Sequence, residues 1–169
     1  MIHNAWGPDS YSRPHHSFLF LSKRTLYIIL FQNQYTYNMS GWDDYIKLLF
    51  GKSPAIKRAA IIGSDGSVWA RSGDANAFRA TEVELKRFAA LFNDINSVPG
   101  TGADLEEIHY IVPRVEEKLI FGKKEQTGFF AAKTNQAIVI AMYEGDNAQS
   151  ASVRAGVEYI AQYLASSGY

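Results

Sequence analysis

From Met39 onward the apolar residues recur with two periods, and the changes of period mark out the elements. Trp42, Tyr45, Ile46 and Leu49 repeat at three- and four-residue spacing, which predicts an amphipathic helix. Ser40 stands where a cap belongs, with Asp43 three residues on, and Gly51 and Pro54 stand where the helix should stop. The run IKRAAIIGSDGSVWARSG holds two strand-like segments around Ser64-Asp65-Gly66, a hairpin turn signal. Thr81 and Glu84 form a capping box ahead of Leu85, Phe88, Ala89, Leu91 and Phe92, so a second amphipathic helix follows. SVPGTGAD, residues 97 to 104, reads as a loop. Four strands are expected after it, at 108–113, 117–121, 128–133 and 137–143, and their short separators favour hairpins over crossovers. Gly145-Asp146-Asn147 interrupts the pattern. A last helix is expected over about 150 to 166, with Val153, Val157, Ile160, Ala161 and Leu164 on one face.

This order predicts an α+β domain, a single antiparallel sheet of about six strands flanked by helices. The length of 169 residues suits one such domain. Residues 1 to 38 do not share the pattern. Their apolar run SFLFLSKRTLYIILF is broken by Lys23 and Arg24, and each half falls short of the roughly 20 apolar residues that a membrane span needs. The charges lie mid-run and no small-residue cleavage site follows, so a signal peptide fits poorly. We expect an atypical N-terminal extension over 1–38, disordered or loosely packed, ahead of a domain over 39–169. It reads either as an isoform-specific extension or as the product of an upstream start. The sequon-like Asn38-Met39-Ser40 reads as accidental.

Charge narrows the partners. The chain carries 17 basic and 17 acidic side chains. The first 38 residues hold Arg13, Lys23 and Arg24 against Asp9, which leaves 14 basic and 16 acidic groups from Met39 on. No global field draws the chain to nucleic acid or to an anionic membrane, so any basic site is local. There is no cysteine, hence no disulfide, no thiolate metal site and no thiol nucleophile, which suits a reducing cytosol. Gly51-Lys52-Ser53 resembles the end of a phosphate-binding loop, but Ile46 stands where the first glycine is required, and the stretch ends a helix instead of opening one. Gly122-Lys123-Lys124 lacks the hydroxyl residue and the upstream glycine. His109 is the single histidine after Met39 and has no nucleophile elbow to serve. No catalytic residue, metal or cofactor is expected.

What remains is aromatic. Trp42 and Tyr45 share a face of the first helix, Trp69 lies in the second hairpin strand, and Tyr163, Leu164 and Tyr169 close the chain. Aromatics at helical spacing are most often core. Here Ile46, Leu49 and Phe50 already supply the first helix with a buried face, so terminal helices placed side by side would gather the other rings into a shallow groove. Such a groove fits a polyproline II helix, which is already stiff and presents flat rings and free carbonyls to indole and phenol groups.

MSGWDDYI, SVWA, GKK with KTNQAIVIAMYE, and the ending VEYIAQYLASSGY together resemble the profilin family, in its order and at about its spacing, over the whole chain from Met39. The resemblance implies a six-stranded antiparallel sheet between helical layers, with the N- and C-terminal helices adjacent. It implies binding of monomeric actin, of proline-rich proteins such as formins, and of phosphatidylinositol bisphosphate at the membrane surface. Promotion of nucleotide exchange on actin, control of its polymerisation and a monomeric state in the cytoplasm at the cytoskeleton are implied with them. Carried over by position, the proline groove is Trp42, Tyr45, Trp69, Tyr163, Leu164 and Tyr169, with Tyr163 where some members have histidine. The actin face is implied on the side opposite the groove, at His109, Val112, Arg114, Lys123, Lys124, Gln149, Arg154 and Glu158, and the lipid phosphates at Lys123 and Lys124, read as a compact pair in a turn. Two departures stand out. Pro113 occupies a strand position that is usually aliphatic and should leave that strand bulged or at an edge. Phe121 stands where many members carry a cation. The alternative from another class is a small ligand-sensing or scaffold module of similar layout that does not bind actin.

Overall fold

The structure, a computed structural model, describes residues 41 to 169. Ser40 and the expected 1–38 extension lie outside the described residues. Helix α1 (Trp42–Lys52) is followed by strands β1 (Ile56–Gly63) and β2 (Val68–Arg71), then α2 (Glu82–Ala90) and the short α3 (Val98–Thr101). Strands β3 (Ala103–Leu105), β4 (Ile108–Glu116), β5 (Leu119–Lys124), β6 (Thr127–Lys133) and β7 (Ala137–Glu144) come next, and α4 (Asn147–Ser166) closes the chain. The strands form one antiparallel sheet in the order β2-β1-β7-β6-β5-β4-β3.

Strand alternation divides the core between the two faces of the sheet. In β7, Ala137, Val139, Ala141 and Tyr143 join a cluster with Leu49 of α1 and Val153, Val157, Ile160 and Leu164 of α4. Ile138, Ile140 and Met142 point the other way, to Leu85 and Phe88 of α2, Val98 of α3, and Tyr110 and Phe129. Both faces of β7 are covered, so AIVIAMY is buried throughout and shows no polar alternation.

The sheet has seven strands against the expected six. The additional strand is β3, which lies in part of the stretch read as loop. Its turn into β4 is made by Glu106 and Glu107, both at positive φ (55° and 62°), a conformation that glycine or asparagine usually supplies. Carboxylates hold the strained turn in place. Glu106 Oε1 accepts the Arg79 backbone N–H at 2.7 Å, and Glu84 Oε1 accepts that of Glu107 at 2.7 Å. Arg58 Nε stands 2.7 Å from Glu106 Oε2 without directing its N–H at the oxygen, so this contact is an ion pair and not a hydrogen bond. The remaining misses concern boundaries. Gly41, extended and making no side-chain cap bond, is the N-cap of α1, and the helix runs through Gly51 to Lys52. Helix α4 begins at Asn147, because Asp146 and Gln149 form a capping box.

The GKK segment is strand, not turn. Gly122 pairs with Phe129 on β6, whose ring lies across it, and any Cβ there would collide with the ring. The turn falls instead at Glu125-Gln126, with Glu125 at φ 54°. At Pro113 the β4–β5 register shifts between Ile111 and Arg114, the bulge expected of a residue without a ladder donor.

Candidate functional site

Helices α1 and α4 lie antiparallel on one face of the sheet, and their outer ends gather the rings. Trp42 lies 4.7 Å from Trp69, 4.9 Å from Tyr169 and 5.7 Å from Tyr45, centroid to centroid. Tyr45 lies 5.8 Å from Tyr163, and Trp69 6.0 Å from Tyr169. All five contacts are tilted or edge-on, the geometry that aromatic quadrupoles favour. Trp42, Tyr45 and Trp69 are half-buried against the core below, while Tyr163 and Tyr169 remain 41% and 37% exposed. The result is a continuous ring-lined groove. Burial, and then the neighbouring Tyr163 and Tyr169, raise the Tyr45 phenol above its ordinary value.

The carboxyl-terminal tail is folded back to complete the groove. Gly168, at φ 93°, allows a Schellman turn in which the Tyr169 N–H donates to Leu164 O at 3.0 Å and the Gly168 N–H to Ala165 O at 3.1 Å. Gln136 Nε2 donates to Gly168 O at 2.9 Å, tying the tail to the sheet. Gly168 and Gln136 escaped the reading of the sequence, although a glycine just past the last periodic residue is a helix-stop signal. Leu164 differs from its expected role. It is fully buried and supports the groove from beneath, with no surface of its own.

A second surface lies not opposite the groove, as expected, but on the same side of the sheet, where α4 leaves β4 and β5 uncovered. A cavity of about 260 Å³ there is lined by Arg114, Phe121, Lys123, Asn147 and Arg154 among others. Glu116 is its electrostatic hub. Arg154 Nη2 donates to Glu116 Oε2 at 2.8 Å and to Glu158 Oε1 at 3.0 Å, and Arg114 Nη2 stands 3.2 Å from Glu116 Oε1. The hydrogen bond from Arg154, aided by its charge and that of Arg114, holds the Glu116 carboxyl below its ordinary range. Lys123 Nζ donates to Asn147 Oδ1 at 3.3 Å. His109 sits toward the β3 end of the sheet, its Nδ1 2.6 Å from Asp104 Oδ1. Glu116, Asn147 and Ile111 were not among the expected residues. Ile111, 63% exposed, could have been found from strand alternation against its buried neighbours.

Four expected members of this surface are placed differently from their assigned roles. Val112 points into the opposite core and is 3% exposed, because the alternation of β4 turns Tyr110 and Val112 inward and Ile111 outward. Lys123 and Lys124 are consecutive strand residues, so their side chains leave opposite faces of the sheet and do not form a compact pair. Gln149 is exposed, but its amide oxygen accepts the Asp146 backbone N–H at 3.0 Å as part of the α4 capping box. Among the described residues no cluster of three or more His, Asp or Glu side chains could hold a metal, and no helix is long and apolar enough to cross a membrane.

A seven-stranded antiparallel sheet carrying paired terminal helices, with a ring-lined groove at one end and a charged face at the other, defines a small α+β binding module. The profilin family model matches residues 40–169, and the chain belongs to the profilin family. It is 58% identical over 132 residues to profilin-1 of Caenorhabditis elegans, an alignment that spans 78% of this chain and all of that one. The crystallised profilin of Schizosaccharomyces pombe shares its fold with a TM-score of 0.69 at 32% identity, over 76% of this chain and 100% of that one. Two more distant structures share the fold at a TM-score of 0.60. Mouse profilin IIa, in complex with a double repeat from the FH1 domain of mDia1, is 21% identical over 77% of this chain and 100% of its own. LokiProfilin1, in complex with rabbit actin, is 17% identical over 73% of this chain and 93% of its own.

Proposed function

We propose that this protein binds monomeric actin and proline-rich ligands on separate surfaces and thereby regulates actin polymerisation and nucleotide exchange. The observation that carries the reading is the groove. Five aromatic side chains, four from three elements and one from the carboxyl-terminal tail, converge with their faces partly open, in a chain that belongs to the profilin family. A polyproline II ligand has no internal hydrogen bonds to lose and little freedom to give up, so stacking on preformed rings is a low-cost way to bind it. In this reading Trp42, Tyr45, Trp69, Tyr163 and Tyr169 touch the ligand and Leu164 supports them. Formins are a natural source of such ligands, and the FH1 repeat bound to mouse profilin IIa supports that choice.

The actin surface is assigned to the exposed side of β4 and β5 and the start of α4, with Ile111, Arg114, Glu116, Lys123, Arg154 and Glu158 at its centre. The rabbit actin bound to LokiProfilin1 supports actin as the partner. Family membership makes this a binding protein and not an enzyme. Phosphatidylinositol bisphosphate is assigned a modulating role in which Lys123 and Lys124 act singly, each from its own face. The cytoplasm, at the actin cytoskeleton, is the site of action. Residues 39–169 are the working unit and 1–38 an appended segment, so a chain beginning at Met39 should keep both activities. The ligand-sensing alternative has no observation of its own in its favour.

The test is an oligoproline titration followed by tryptophan fluorescence. Trp42 and Trp69, two of the three tryptophans, line the groove. A saturable change, lost in Trp42→Ala while actin binding persists, is the expected result. No change, or equal loss of both activities, contradicts the assignment.

A further inference from the structure

The cleft between α1 and α4 does not end at Tyr45 and Tyr163. Because the helices run antiparallel, later residues of α1 face earlier residues of α4. Tyr45 meets Tyr163, Lys52 meets Tyr159, and Ser53 Oγ lies 2.7 Å from Ser152 Oγ. The helices approach closely along this stretch, since a Cβ on Gly156 would stand 2.9 Å from Lys52 Cβ. The absence of a side chain at Gly156 gives the Lys52 stem a path over α4, and its Nζ comes to rest 3.6 Å from the Tyr159 ring centroid. Tyr159 is 48% exposed and Tyr163 41%, and their four-residue spacing puts both rings on one face of α4.

The chemistry of the cleft changes at this point. Up to Tyr163 it offers open ring faces, which suit proline. At Tyr159 the ring face is covered by an ammonium, so the surface offered to a ligand is a positive charge. No carboxylate pairs with Lys52 among the described residues, whereas Lys47 on the same helix is paired with Asp44. Contact with a ring leaves the ammonium with N–H donors to spare.

We propose that this chain favours proline-rich ligands in which the proline tract is flanked by an acidic residue, and that Lys52, held over Tyr159, recognises that residue. The inference rests on the proline-groove reading above. Spacing supports it. The rings of the groove lie 4.7 to 6.0 Å apart, about two residues of a polyproline II helix rising about 3.1 Å each. The turn of α4 from Tyr163 to Tyr159 adds about 5 to 6 Å, another two residues. The acidic residue therefore falls about two to four positions beyond the proline seated on Tyr163.

The test uses the full chain and labelled oligoproline peptides with four kinds of flank: neutral, Glu at one end, Glu at the other, and Lys. Fluorescence anisotropy at low salt should show a gain of about threefold for a Glu flank at one end, a gain that fades at high salt. Lys52→Gln should abolish the gain and leave the neutral peptide's affinity unchanged, and Lys52→Glu should transfer the preference to the Lys-flanked peptide. Neutral binding with no gain from Glu at either end, or a gain that survives Lys52→Gln, overturns the inference and leaves the groove standing. If no peptide binds while actin still does, the groove reading fails and this one falls with it.

Discussion

The two ends of helix α4 present surfaces built on opposite principles. At its carboxyl end the groove is made of rings that brace one another and stand on buried Leu164, so its shape is set by packing. At its amino end the surface is made of long charged side chains whose positions depend on pairing, with Glu116 shared between Arg114 and Arg154. The first is preorganised and loses little freedom on binding. The second must order its side chains again against a partner, and its exposed pairs contribute little to stability. A rigid groove suits a ligand that is itself rigid, whereas a charged face suits a large partner of complementary potential, for which charge governs encounter and register.

The largest expected effect falls on the groove. Trp42 touches Tyr45, Trp69 and Tyr169, so Trp42→Ala removes the centre of the ring network and should weaken oligoproline binding by at least about thirtyfold, as for a central aromatic hot spot. Actin affinity, measured by sedimentation, should be unchanged. The mirror experiment is Arg154→Ala, which leaves Glu116 and Glu158 without their shared partner. It should cut actin affinity by about tenfold and spare oligoproline binding, consistent with truncation of one member of a charged interface network.

Two neighbours in β4 sharpen the contrast. Val112→Ala hollows the core and should cost about 2 kcal/mol in denaturant unfolding. Ile111→Ala, on the exposed face, should change stability by less than about 0.5 kcal/mol while weakening actin binding. Reversal of these two results would put the register of β4 in error.

The smallest effect concerns pH. The Glu116 carboxyl is held below its ordinary range by the hydrogen bond from Arg154, then by the charges of Arg154 and Arg114. Its folded pKa is depressed, so its contribution is complete above the ordinary glutamate range and is lost as pH falls through the lowered value. Thermal unfolding followed from neutral to acid pH should show a small loss in that window for the wild type, and a smaller one for Glu116→Gln.

The sequence made the groove legible and the charged face much less so, for physical reasons. The rings sit on elements with strong local signals: a helix of regular period and a hairpin with an Asp-Gly turn. The family likeness then supplied their roles. The charged face depends on strand alternation and turn placement, and there the signals misled. Gly122 looked like a turn residue but is a strand glycine lying under Phe129, which moved the turn to Glu125 and split the lysine pair. Glu106-Glu107 carries no turn signature, because its strained backbone is held by carboxylate contacts to Arg79 and Glu84, both distant in sequence, so β3 went unseen. The early start of α4 was legible: Asp146 and Gln149 have capping-box spacing.

The central claim is that the groove and the charged face are independent surfaces of one small domain. It is tested most directly by titrating monomeric actin into the protein with and without saturating oligoproline, and following the complex by analytical ultracentrifugation. Independent surfaces predict a ternary species and an actin affinity that oligoproline does not change. Displacement of either ligand by the other would contradict the account.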